Sequence, residues 1–170
     1  MQKFQLKEMY LGAIRKLGYQ VVKPLQPACC LVYLIQREKA YFTIKISSIA
    51  KGCCGDWAYE HIHWAYEHIQ REAEILERVK DVEGIAHKKA VHTLTPPKND
   101  SPPTLALIKE YIEGKNLRDN YDDKGQPIPF RNKQKLCDTV RVLHAAGVAN
   151  LDLYPRNIIV DPSGNLFTLI

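Results

Sequence analysis

Apolar residues recur at helical spacing from Phe4 to Leu17, and Gly18 follows where such a helix would close. The texture then changes to two β-rich runs, Cys30 to Ile35 (CLVYLI) and Ala40 to Ile46 (AYFTIKI). Polar Gln36, Arg37, Glu38 and Lys39 separate them, which predicts a hairpin with Lys45 near the end of its second strand. Gly52 to Asp56 break the pattern, and Asp56 is placed to cap a long helix running to about Lys80. Inside that helix a heptapeptide occurs twice in tandem, WAYEHIH and then WAYEHIQ. Two copies are too few for a solenoid, so the duplication is expected to lengthen one helix by about two turns.

The duplication produces a stripe of Ala58, Ile62, Ala65, Ile69, Glu72, Leu76 and Val79, spaced alternately by four and three. Six of the seven are apolar and the other is a carboxylate. A glutamate inside a buried stripe is costly unless a cation or hydrogen-bond donors meet it, so Glu72 should have a partner. Downstream, Val91 to Leu94 predicts a short strand, Thr95 to Pro103 (TPPKNDSPP) a turn-forming loop, and Leu105 to Ile112 (LALIKEYI) a strand ended by Glu113 and Gly114. The polar segment Asn116 to Arg131, broken by Pro127 and Pro129, predicts one short helix and a loop. Helical spacing resumes from Asn132 through Leu136, Val140, Leu143 and His144 and closes near Gly147. Two short β runs, Ile158 to Val160 and Leu166 to Ile170, flank the turn Asp161, Pro162, Ser163, Gly164, and the loop leading into this second hairpin carries Asp152 and Asn157.

Composition narrows the class. The 170 residues are 45% hydrophobic and 25% charged, which excludes a disordered chain, a collagen-like repeat or a coiled-coil rod. A chain of this length buries roughly 70% of its unfolded surface, so a core is feasible without cross-links. The five cysteines, Cys29, Cys30, Cys53, Cys54 and Cys137, are odd in number and include two adjacent pairs, a poor disulfide framework that points to a reducing compartment and a cytoplasmic location. No stretch reaches the roughly 18 apolar residues of a membrane span, and the N-terminus lacks the apolar core of a signal peptide. The net charge of +5 favours anionic partners, but the basic residues are scattered, which weighs against nucleic acid as the main partner. A nucleotide or phosphorylated ligand accounts for the charge as well.

A lysine ending a strand, a glutamate in an apolar helical stripe, and an aspartate and an asparagine flanking four residues of a loop supply what phosphoryl transfer needs. That chemistry uses a cation for phosphate oxygens, a carboxylate to orient the accepting hydroxyl, and oxygen ligands for magnesium. In this order the residues resemble the protein-kinase-like superfamily: NLDLYPRNIIVD is similar to the catalytic loop H-x-D-L-x-x-x-x-N, TIK (Thr43 to Lys45) to the phosphate-binding lysine strand, EAEIL (Glu72 to Leu76) to the helix whose glutamate pairs with that lysine, and IKEYIEG (Ile108 to Gly114) to the hinge between two lobes. The Y-P-R form of the loop is similar to the smaller atypical kinases, lipopolysaccharide-kinase-like or archaeal kinase-like.

The resemblance implies an α+β, protein-kinase-like bilobal fold. Residues 1–113 would form an N-lobe of antiparallel sheet plus one long helix, and residues 114–170 a shortened, mostly helical C-lobe. It further implies that Lys45 contacts the α and β phosphates of ATP, Glu72 holds Lys45, Asp152 orients the acceptor hydroxyl, Asn157 ligates Mg2+, and the backbone of Glu110, Tyr111 and Ile112 faces the adenine. Glu72 is preferred to Glu74 because only Glu72 lies on the apolar stripe. The expected activity is transfer of the γ-phosphate to a hydroxyl of a protein or a small molecule.

Three departures keep a second reading open, a pseudokinase or binding module that holds nucleotide or a partner without efficient catalysis. Leu25 to Leu31 (LQPACCL), where the family has a glycine-rich phosphate loop, contains no glycine, and Pro27 removes an amide donor. Asn150 stands where the catalytic loop has histidine. The chain ends at Leu169 and Ile170 where the family has a magnesium-binding aspartate, which implies a chain cut short of that residue. Cys53 and Cys54 with His61, His63 and His68 lack the spacing of a zinc site, so no metal is expected there. Trp57, Tyr59, Trp64 and Tyr66 are expected to pack one lobe against a neighbour, and the lengthened helix offers a face on which a partner protein could dock.

Overall fold

The computed structural model describes residues 8–27, 30–49, 58–95, 102–119, 133–149 and 153–169. The chain divides into two compact units, Met1–Glu74 with Lys88–Tyr111 and Ile75–His87 with Ile112–Ile170.

The first unit is built on a five-stranded antiparallel sheet of β1 (Gln20–Pro27), β2 (Cys30–Arg37), β3 (Ala40–Ile49), β4 (Lys88–Thr95) and β5 (Thr104–Glu110), in the order β1-β2-β3-β5-β4. The predicted hairpin is β2 and β3, with Arg37 opposite Ala40 across a two-residue turn. Strand β3 is central and pairs on its other side with β5, placing Lys45 opposite Leu107 and Thr43 opposite Lys109. Strand alternation then separates two faces. Ile44, Ile46, Ala106 and Ile108 point to one side and form a core with Tyr33, Ile35 and the buried Tyr10 and Ile14 of helix α1 (Glu8–Lys16). Lys45, Thr43, Leu107 and Lys109 share the other face. Gly18, at φ +83°, closes α1, a backbone conformation that glycine adopts without the Cβ penalty.

Helix α2 (Ala58–Arg78) carries the heptad duplication from Ala58 onward. Of the predicted stripe, Ala65, Ile69, Glu72, Leu76 and Val79 are buried and Ile62 is half-buried, whereas Glu74 is exposed. Trp64 departs from the packing expected of it: its side chain remains 49% exposed, with its ring edge-on to that of His68 at 5.1 Å. The position next to Ala65 lies about 100° around the helix from the stripe, which places the indole on the flank. Asp56, Trp57, Cys53 and Cys54 lie outside the described residues.

Two elements differ from the hydrophobic pattern. Strand β1 is absent from it, and β4 begins three residues before the expected Val91. Within the second unit, a three-stranded sheet of β6 (Lys115–Asn116), β7 (Ile158–Val160) and β8 (Leu166–Thr168) carries helix α3 (Lys133–Ala145). Ile158, Val160 and Leu166 form its core with Leu117 and Leu136. The short helix expected after Asn116 is a 3₁₀ turn, Leu117–Asp119. The loop before β6 is fixed by Gly114: at φ +154°, a Cβ there would lie 2.2 Å from the carbonyl oxygen of Val160. Among the described residues no helix is long and apolar enough to cross a membrane.

Candidate functional site

Strand β3 brings Lys45 up beneath α2, where its Nζ donates to Glu72 Oε2 at 2.5 Å. The pairing inferred for Glu72 from its place in an apolar stripe is thus met. A second lysine was not foreseen: Lys109 Nζ donates to the other carboxylate oxygen, Oε1, at 2.6 Å. The register explains how both reach one group. Lys109 is two residues along β5 from Leu107, the partner of Lys45, so the two lysines lie diagonally on one face of the sheet.

The carboxylate is the most deeply set member. The Glu72 side chain is 2% exposed, against 19% for Lys45 and 11% for Lys109. Burial pushes the Glu72 carboxyl upward, but the charges of Lys109 and Lys45 and their hydrogen bonds outweigh it and hold the group below the ordinary carboxylate value. One helical turn earlier, His68 Nδ1 lies 3.8 Å from Glu72 Oε2. Burial, followed by the charge of Lys45, lowers the His68 pKa below its ordinary value of 6.5, so the ring is neutral at pH 7. Two ammonium groups facing one carboxylate leave this triad one positive charge in excess. Thr43, directly opposite Lys109, has a buried hydroxyl without a hydrogen-bond partner.

The hinge-like residues follow Lys109 directly. Glu110 ends β5 opposite Phe42, and the Tyr111 ring lies edge-on to Tyr41 with centroids 6.4 Å apart. Ile112 begins the next segment of the second unit, and all three residues are half-buried.

The loop expected to bear catalytic residues is described from Leu153 onward, and Asp152 and Asn150 lie outside the described residues. Asn157 closes a 3₁₀ turn, Pro155–Asn157. Its N–H donates to the carbonyl of Tyr154 at 2.8 Å and its carbonyl accepts from the N–H of Leu169 at 2.7 Å, which ties the loop to the strand end beyond β8. The Arg156 guanidinium stacks over the Tyr154 ring at 4.5 Å from its centroid. At the hairpin turn, Asp161 accepts from the backbone N–H of Asn165 at 2.7 Å and from its side-chain amide at 3.0 Å.

Lys109 was legible in principle. Leu105 to Ile108 are continuously apolar, as in a strand buried on both faces, and a lysine continuing such a run requires a carboxylate. Glu72 was already identified as a carboxylate in need of a cation, so the two demands could have been matched.

No family model matches the chain. Segments of it are similar to plant protein kinases. It is 36% identical over 66 residues to a cyclin-dependent kinase F-2 of Oryza sativa subsp. japonica, covering 35% of this chain and 20% of that relative. It is 33% identical over 69 residues to CBL-interacting serine/threonine-protein kinase 24 of Arabidopsis thaliana, covering 39% of this chain and 16% of the relative. To CBL-interacting protein kinase 1 of Oryza sativa subsp. japonica it is 34% identical over 65 residues, 36% of this chain and 14% of the relative. These matches support a kinase-like relationship over about a third of the chain and span a fifth or less of the relatives' own lengths.

Proposed function

We propose that the protein is a kinase-like phosphotransferase that binds ATP with Mg2+ and passes the γ-phosphate to a hydroxyl of a protein or small molecule, on a bilobal kinase-like fold with an N-lobe of residues 1–113 and a C-lobe of residues 114–170. The observation that carries this reading is the ion pair of Lys45 with the buried Glu72, between a central strand and the helix over it. A lysine so held presents a fixed cation to phosphate oxygens, and Glu72 sets its position. In this reading the backbone from Glu110 to Ile112 faces the adenine, Asp152 orients the acceptor hydroxyl, and the Asn157 side chain offers an oxygen to magnesium. The similarity to protein kinases supports the same chemistry. The Y-P-R form of the loop supports a reading among the smaller atypical kinases.

A second reading, a pseudokinase that binds nucleotide or a partner, is favoured by one feature. The segment Leu25 to Leu31 has no glycine, and Pro27 offers no N–H to a phosphate. Incubation with magnesium and labelled ATP separates the two. Label transfer that Asp152→Ala abolishes establishes the phosphotransferase. Nucleotide binding without transfer, seen as a thermal shift on titration with ATP, establishes the pseudokinase.

A further inference from the structure

Lys45 and His68 meet at one oxygen. Glu72 Oε2 accepts from the Lys45 ammonium at 2.5 Å and lies 3.8 Å from Nδ1 of His68, one helical turn back along α2. We propose that His68 is a further residue of an anion site on Lys45: an anion settling there draws a proton onto the imidazole, which lends the bound state a third positive charge. The anion named for this role, the triphosphate of Mg·ATP, rests on the phosphotransferase reading; the coupling of His68 to Lys45 rests on the cluster alone.

Among the described residues, the charged groups that face the imidazole are Glu72 on its own helix, Lys45 from β3 and Lys109 from β5. Two ammonium groups against one carboxylate already leave an excess of one positive charge, and an imidazolium would double it. Burial and the two ammonium groups therefore outweigh the pull of Glu72 and keep the ring neutral. An anion on Lys45 cancels that excess. Lys45 keeps its bond to Glu72 meanwhile, because an ammonium carries three donors and the carboxylate engages one of them. Lys45 and His68 share an oxygen, so the anion stands well inside the screening length of about 8 Å at physiological salt, and its charge reaches the ring. The Trp64 ring lies edge-on at 5.1 Å and packs the imidazole on its flank. The His68 side chain is 42% exposed, so it exchanges protons with solvent without any opening of the helix. The coupling is reciprocal: what raises the proton affinity of His68 also raises the anion affinity of the protonated chain. Anion binding is therefore expected to strengthen as pH falls.

The test follows the His68 ring by NMR in the full chain, titrated from pH 8 to 5 alone, with saturating Mg·ATP and with saturating tripolyphosphate, the signal being assigned by its loss in His68→Gln. Either anion is expected to move the His68 titration midpoint to higher pH. Calorimetry of Mg·ATP binding at pH 6.5, in buffers of different ionisation enthalpy, should show a net proton uptake that His68→Gln lacks. The affinity of the wild-type chain should rise by about threefold from pH 7.5 to 6, and that of His68→Gln should stay flat by comparison. Without any ligand, Lys45→Met should let His68 take up its proton at higher pH than in the wild-type chain, since one of the opposing charges is gone. A His68 midpoint that neither anion moves, or one that is the same in Lys45→Met as in the wild-type chain, overturns the proposal. If tripolyphosphate moves the midpoint and Mg·ATP does not, the nucleotide reading fails while the role of His68 at the anion site stands.

Discussion

At Glu72 one carboxylate faces two lysine ammonium groups, the buried Lys109 and the half-buried Lys45, so substitutions within the triad should be unequal. Glu72→Gln keeps the shape but leaves both lysines without a counter-charge, and is expected to cost about 3–5 kcal/mol in urea denaturation. Lys45→Met leaves Glu72 paired with Lys109, and is expected to cost markedly less, about 1–2 kcal/mol. Equal losses would show that the carboxylate is not shared. Acid acts on the same cluster with a definite sign. Unfolded His68 takes up a proton near its ordinary 6.5, whereas the folded residue does so only at lower pH. Below 6.5 the unfolded state therefore holds more protons, and stability falls until the lowered folded value is passed, while above 6.5 the effect vanishes. Glu72 works in the same direction at lower pH, its stabilisation being present above the ordinary value of 4.5 and lost as pH falls through the depressed folded value. Midpoints of urea unfolding from pH 7 down to about 3 should decline in two stages, the lower one below 4.5, and His68→Gln should flatten the upper one.

Among the elements, the β2–β3 turn and the β6–β7 pairing have the clearest backbone constraints. Glu38 occupies the turn at φ +56°, the only positive-φ position outside glycine among the described residues. Glu38→Gly removes that penalty and should stabilise by roughly 0.5–1 kcal/mol, seen as a raised urea midpoint. Gly114→Ala should do the reverse by about 2 kcal/mol or more, since its methyl meets the Val160 carbonyl and its φ is forced. The pattern of apolar positions predicted the β2–β3 hairpin, the buried stripe of α2 and the final hairpin because each is a regular run of period two or period 3.6. Strand β1 escaped it for a physical reason. Its pairing with β2 shifts register twice, between Val21 and Lys23 and between Pro24 and Gln26, and each shift breaks the alternation that marks a strand. As an edge strand it also tolerates Pro24 and Pro27, residues that read as breakers.

For the whole molecule, the prediction is functional. On the proposed phosphotransferase reading, titration with Mg·ATP should raise the melting temperature of the wild-type chain, and the rise should shrink in Lys45→Met, which removes the cation proposed to meet phosphate. An equal rise in both would remove Lys45 from the nucleotide site. The order of Lys45, Glu72, Glu110, Asp152 and Asn157 along the chain carried the kinase-like resemblance, and the similarity to protein kinases agrees with it over about a third of the chain. By itself, then, the sequence determined which segments are helix and strand where the apolar period is regular, and that a carboxylate at 72 needs a cation. The kinase-like resemblance pointed to Lys45 as that cation; only the tertiary structure decided that Lys109 answers as well, because Lys109 lies 37 residues from Glu72 and is brought onto the face of Lys45 by the register of β3 with β5, a long-range pairing that local spacing does not encode.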